Sequence, residues 1–130
     1  MSDIKTFEDL DCWKKGTELR RTLSKVIKKF PDSEKFELTS QIRRASRSVT
    51  HNIAEGYGRF HFKENAQFCR TSRGSAYELL DQILVALDEE YIDTEKYDEL
   101  RTMIFDCLKI LNGYINYLIK ADNTKQQLTH

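Results

Sequence analysis

Apolar residues recur along this chain every three or four positions, in four runs separated by short polar breaks, and nowhere in the alternation of a half-buried strand. The first run, about 9–30, follows Asp9 and places Leu10, Trp13, Thr17, Leu23, Ile27 and Phe30 on one side until Pro31 stops it. The second, about 36–55, gathers Leu38, Ile42, Ala45, Val49 and Ile53 in one sector and closes at Gly56 and Gly58, residues suited to a C-cap and a sharp turn. The third, about 63–89, carries Cys69, Ser72, Ala76, Leu79, Leu80, Ile83 and Leu87. Asp93 or Thr94 caps the fourth, about 94–119, with a stripe of Tyr97, Leu100, Ile104, Leu108, Leu111, Ile115 and Leu118. Connections of a few residues force neighbouring helices to run antiparallel. The pattern therefore predicts an all-α, up-down-up-down antiparallel four-helix bundle over residues 1–120, with a polar, frayed tail at 121–130. Trp13, Phe30, Leu38, Val49, Ile83, Leu108 and Leu111 are expected in its core.

Helices three and four hold more apolar surface than one core requires. Phe68, Tyr77, Leu84 and Ala86 widen the stripe on helix three, and Met103, Ile110 and Tyr117, with Phe105 on a separate face, do the same on helix four. Either another subunit covers this surplus or some of these residues stand exposed singly. Gly74 beside Ser75 in mid-helix suggests a close helix approach rather than a phosphate loop, because no Gly-rich turn follows a strand there.

The rest of the composition narrows the function classes. A chain of 130 residues with one Pro and five Gly reads as a single helical domain. The start, Met1-Ser2-Asp3-Ile4-Lys5, lacks the apolar run of a signal peptide, and no stretch is apolar enough to span a bilayer, so a cytoplasmic protein without membrane partners is expected. Cys12, Cys69 and Cys107 are an odd, widely spaced set within apolar patterns, expected to be buried free thiols rather than a disulfide or metal framework. His51 and His61 have no acidic residue three positions before them, which disfavours a carboxylate-bridged di-iron bundle. No cofactor motif and no metal set are present, and the expectation is a protein that is not an enzyme.

The formal net charge of zero conceals two opposite halves: residues 1–75 carry 16 Lys/Arg against 10 Asp/Glu, and residues 76–130 carry 5 against 11. Such a split favours self-association through complementary faces or a local site for a polyanion. The positive charge concentrates on helix two. At about 100° per residue, Arg43, Arg44, Arg47 and His51 fall opposite the apolar sector, with no acid on that face before Glu55. Arginine suits bidentate phosphate contact, so these four are candidate nucleic-acid-binding residues, with Arg59, Lys63 and Arg70 as an extension across the following turn. The same arc also fits a protein partner, a subunit contact or a plain solvated face.

Asn52 and Glu55 border the apolar sector of helix two, on a flank shared with Gln41, Arg44 and Ser48. Arg73 lies inside the apolar sector of helix three, where a guanidinium needs a carboxylate, and Glu55 and Glu78 are the candidates. Asn52, Glu55, Arg73 and Glu78 thus read as a structural polar network. A hydrolase built on Glu55 would need a nucleophile, a second poised acid or a metal, and none is in the pattern.

One combination of segments, taken in order, is more specific than any of its parts: Phe7-Glu8-Asp9-Leu10 with Trp13, Phe30-Pro31, Leu38 with Gln41-Ile42-Arg43-Arg44-Ala45, Asn52-Ile53-Ala54-Glu55-Gly56 with Gly58-Arg59, and Arg73-Gly74-Ser75 with Glu78. Over nearly the whole chain it resembles the four-helix-bundle proteins encoded in intervening sequences of bacterial large-subunit ribosomal RNA genes. That resemblance implies a left-handed bundle assembling as a homopentamer, and a relationship to accessory variability determinant proteins, which bind nucleic acid through a basic surface and partner a reverse transcriptase. Two positions depart from the family pattern. Gly16 stands where Ala is usual, at about 1 kcal/mol of helix propensity. His61 stands where a Ser often caps helix three. The reading is an oligomeric, non-enzymatic protein that binds RNA or DNA, with an interaction scaffold lacking nucleic-acid binding as the alternative.

Overall fold

The computed structural model describes residues 3–129. Four helices account for most of them: α1 (Asp11–Ile27), α2 (Leu38–Tyr57), α3 (Phe62–Asp88) and α4 (Thr94–Thr129), with no strand among the described residues. Each packs against its two neighbours in a closed square, α1 on α2 and α4, α3 on α2 and α4, so that α2 and α4 lie diagonally across the bundle. Buried side chains of all four helices meet in one core that includes Leu19, Ile42, Val49, Ile53, Leu79, Ile83, Leu100, Ile104 and Leu111. Of the expected core residues, Phe30, Leu38, Val49, Ile83, Leu108 and Leu111 are buried. Trp13 is only half-buried. Its ring meets Phe7 edge-on at 5.3 Å, closing the side of the bundle rather than filling its centre. Cys12, Cys69 and Cys107 are buried free thiols, and burial pushes them up to about 12, about 12 and about 11, so all three stay protonated at neutral pH.

The chain's ends and turns explain most differences from the periodicity. Before α1, residues Phe7–Asp9 form a 3₁₀ turn, and the Asp9 carboxylate accepts the backbone N–H groups of Lys5 and Thr6 at 2.9 and 3.2 Å, which lowers its pKa. After α1, Phe30 cannot stay helical ahead of Pro31. A second 3₁₀ turn, Asp32–Glu34, then leads into α2. Here Tyr91 donates from its hydroxyl to Glu34 at 2.6 Å while its ring packs on Phe30, and that hydrogen bond pushes the phenol up to about 12. Asp93 is the residue that caps α4, its carboxylate accepting the Lys96 N–H at 2.8 Å.

The start of the third helix falls within a residue of the expected position, and one expectation about the fourth is corrected. α3 starts at Phe62, after His61 in extended conformation (φ −126°, ψ 124°) with no side-chain cap. The segment 121–129, expected as a frayed tail, continues α4 without a break, because nothing after Leu118 excludes helix and Thr124 and Gln126 bond back to Lys120 and Asp122. Met1, Ser2 and His130 lie outside the described residues.

The glycines match their expected roles only in part: Gly58 is the C-cap of α2, its N–H reaching the Ala54 carbonyl at 3.1 Å, while the others differ. Gly56 is buried inside α2, where an added Cβ would stand 2.7 Å from the Asn65 side-chain oxygen and 2.9 Å from the Phe68 Cβ. Gly16 is likewise the point where α1 meets α2, with Val49 and Thr50 methyls 3.1 Å from an added Cβ, so its propensity cost secures close packing. Gly74 faces open space, and the close approach expected there is absent. Neither Gly56 nor Gly58 supplies a left-handed turn. That conformation falls to Phe60 (φ 58°) and, after α3, to Glu90 (φ 61°), where the Tyr91 N–H reaches back to the Ala86 carbonyl at 2.9 Å.

Candidate nucleic-acid interface

α2 buries Leu38, Ile42, Ala45, Val49 and Ile53, and this orientation turns its opposite face outward. Arg43, Arg47 and His51 follow one another at four-residue steps, with Arg44 beside them; Arg43 is half-buried and the other three are exposed. Among the described residues, none of the three arginines has a carboxylate within 4.0 Å, since the ion pairs are Lys15–Glu18, Arg59–Glu55 and Lys96–Glu99. Buried serine and threonine hydroxyls on this helix donate into its own carbonyls, Ser46 to Arg43 at 3.0 Å and Thr50 to Arg47 at 3.3 Å, and among the described residues no hydrogen bond holds the guanidinium groups of Arg43, Arg44 and Arg47. The three arginines form a positive surface of about one turn, and His51 carries the polar face roughly one turn further.

The remaining candidates divide. Arg59 extends the arc, because His51, Glu55 and Arg59 surround one shallow depression at the end of α2. It is held there by Glu55 at 3.0 Å and lies over the Phe68 ring at 5.1 Å. Lys63 and Arg70 are exposed on α3. They stand roughly 140–160° of helix rotation from Phe68 and Ser75, which face α2, so they form a separate spot rather than a continuation.

The expected polar network does not form as one unit. Arg73 donates to the Asn112 side-chain oxygen at 2.9 Å and reaches neither Glu55 nor Glu78, because it points across to α4. Asn52 donates to the Ser48 carbonyl and hydroxyl, both at 2.9 Å, and the Ser48 hydroxyl meets that of Ser75 at 2.7 Å, tying α2 to α3. Ser72 adds a bond to the Val49 carbonyl at 2.7 Å. Glu55 is taken by Arg59. Glu78 is exposed and lines a groove between α2 and α3 with Asp81, Gln82 and Arg44. Serine pairs at the α2–α3 contact were missed because each looked like an ordinary helix residue. Their signal was position: Ser48 and Ser75 both border apolar sectors.

A second feature was also missed. At the end of the bundle where α2 turns into α3, a cavity of about 530 Å³ opens, walled by Leu10, Tyr57, Phe60, Phe62, Tyr114 and Tyr117. Tyr114 stacks on Tyr117 with ring centroids 6.2 Å apart, and its hydroxyl accepts the Asn65 side-chain N–H at 3.1 Å; burial raises this phenol, keeping it neutral. Its legible signal was the run Arg59-Phe60-His61-Phe62-Lys63, which alternates basic and aromatic residues.

Elsewhere the surface carries Tyr77, Leu84 and Val85 on α3 and Phe105 on α4, while Ala86 proves fully buried and Phe68, Met103 and Ile110 half-buried. Among the described residues no helix is long and apolar enough to cross a membrane, and no three His, Cys, Asp or Glu side chains gather where they could hold a metal.

With this geometry in place, comparison with known proteins is direct. Residues 8–113 match the family model described as 23S rRNA-intervening sequence protein. The fold is similar to the crystal structure of a protein of unknown function from the S23 ribosomal protein family of Bacteroides thetaiotaomicron, with a TM-score of 0.74 and 21% identity over 81% of this chain and 95% of that one. No curated protein matches.

Proposed function

This chain belongs to the 23S rRNA-intervening sequence protein family, and from that premise we propose that it is a non-enzymatic, oligomeric accessory protein that binds RNA or DNA through α2. The observation carrying this reading is the arc of Arg43, Arg44 and Arg47, exposed or half-exposed, next to His51 and without a carboxylate partner among the described residues. A planar guanidinium pairs with phosphate oxygens two at a time, and three within about one turn of helix present more donors than a single small anion takes. One subunit makes roughly three or four phosphate contacts, which bind weakly at physiological salt. A ring of subunits repeats the patch and converts weak contacts into avidity. Five subunits is the family's expected number. A reverse transcriptase is the protein partner that the family relationship points to, and the reading places the protein in the cytoplasm.

Fluorescence anisotropy of labelled RNA, single-stranded DNA and duplex DNA tests this between about 50 and 200 mM salt. Binding should fall steeply, with each phosphate contact contributing about 0.9 to the logarithmic slope. The Arg43→Glu/Arg47→Glu double variant should abolish it while the oligomer persists. No binding of any of the three probes by the wild type at low salt ends the reading. The second reading, a scaffold for protein partners alone, draws on the exposed Tyr77, Leu84 and Phe105 and predicts that result.

A further inference from the structure

We propose that the turn between α2 and α3 is a site for an unpaired nucleotide, its base stacking on Phe60 and entering the adjoining cavity. The inference rests on the nucleic-acid reading of α2 and adds the class of target: single strands, loops or bulges rather than continuous duplex. Phe60 is 84% exposed, yet it is held in the left-handed region, which a bulky side chain rarely occupies. Its ring stands at the mouth of the 530 Å³ cavity, within the ~300–1,000 Å³ range of small-ligand sites, and near Tyr57 at 6.3 Å between centroids. Phe62, Tyr114 and Tyr117 also line the cavity.

Three observations favour a nucleotide over an apolar protein segment. The Tyr114 hydroxyl accepts from Asn65 and donates to no acceptor among the described residues, so its proton remains for a carbonyl or ring nitrogen of the occupant. Basic Arg59, His61 and Lys63 interleave the aromatic residues along the turn, placing cations where a phosphate backbone would run beside a stacked base. The turn also continues the α2 arc, since Arg59 and His51 border the same depression. The acids at the site are Asp11, on the cavity rim, and Glu55, on Arg59. Asp11 can accept an exocyclic amino group. Glu55 leaves Lys63 as the uncommitted cation at the turn. A base can stack on Phe60 and enter the cavity only when it is unpaired, and aromatic stacking tolerates any base, so the site selects strandedness rather than sequence.

The test compares oligo-uridine RNA with a blunt RNA duplex for the wild type, Phe60→Ala, Phe60→Trp and Phe36→Ala, the last being an equally exposed phenylalanine at the other end of the bundle. Phe60→Ala should weaken oligo-uridine binding roughly 5- to 150-fold, the range of one lost base stack. Duplex binding should not change. Phe60→Trp should retain single-strand affinity, Phe36→Ala should change nothing, and 5-iodouridine in the strand should photocrosslink to residues 60–62 or 114–117. Unchanged single-strand affinity in Phe60→Ala, or equal loss for both probes, overturns the site while leaving the α2 reading intact. A wild type that binds neither probe overturns both. Loss of the oligomer in Phe60→Ala by native mass spectrometry overturns the site by making the turn a subunit contact.

Discussion

Glycine in a helix has no single meaning, and three positions here separate its uses by what a methyl group would meet. At Gly56 a Cβ would press on the Asn65 side chain, its carbonyl and the Phe68 Cβ at 2.7 to 3.0 Å, and two of those atoms are backbone or next to it. Gly56→Ala should therefore lose about 1–3 kcal/mol even after the helix-propensity gain, because α2 and α3 must separate and the Asn65–Tyr114 bond moves with them. Gly74→Ala meets nothing and should gain about 0.5–1 kcal/mol. Thermal unfolding of the two variants should give shifts of opposite sign, and a stabilised Gly56→Ala would contradict the packing described. The sequence reading expects a close approach at Gly74 because of its neighbour Ser75, whereas the helical period, five residues beyond Cys69, places it outside the core sector, where the structure has it. Gly56 and Arg73 were not legible, since the atoms deciding their roles, on Asn65 and Asn112, belong to other helices.

Elements were easier to read than their ends. All four helices follow from apolar periodicity, which integrates many residues, whereas a boundary turns on one or two backbone groups. α4 shows the contrast within one element. Its half up to Leu118 buries Leu100, Ile104, Cys107, Leu108, Leu111, Ile115 and Leu118, and Leu111→Ala should cost about 2–5 kcal/mol by leaving a cavity in the core. Beyond Lys120 the helix persists on local hydrogen bonds and buries no side chain fully among residues 121–128. A polar composition there reads as a tail, because composition reports burial and not conformation. Truncation after Lys120 should cost less than about 1 kcal/mol in urea unfolding while lowering helical ellipticity. A larger loss would mean that another surface covers this segment.

At the scale of the molecule, the charge split along the chain does not set α2 against α4: α4 carries five Lys/Arg and five Asp/Glu, and the acid excess lies in residues 76–93, the second half of α3 and the turn after it, with six Asp/Glu and no Lys/Arg. The basic arc of α2 therefore borders acidic surface along one side, where Glu78 and Asp81 of α3 share a groove with Arg44, and is open on the other. Two separate patches of opposite sign on one chain suit a head-to-tail contact, the kind that closes rings when the rotation permits. The same arc is then wanted by two partners, a neighbouring subunit and a nucleic acid, and salt distinguishes them. Contacts through Tyr77, Leu84, Val85 and Phe105 are apolar and strengthen or hold as salt rises, whereas contacts through Arg43, Arg44 and Arg47 weaken. If the arc is free for nucleic acid, light scattering at micromolar protein should show one discrete oligomer from low salt to about 1 M, across the range in which bound RNA is released. An oligomer that dissociates together with RNA release would place the arginines in the subunit interface instead. A monomer throughout would remove avidity, leaving each chain with only three or four phosphate contacts, too few for useful affinity at physiological salt.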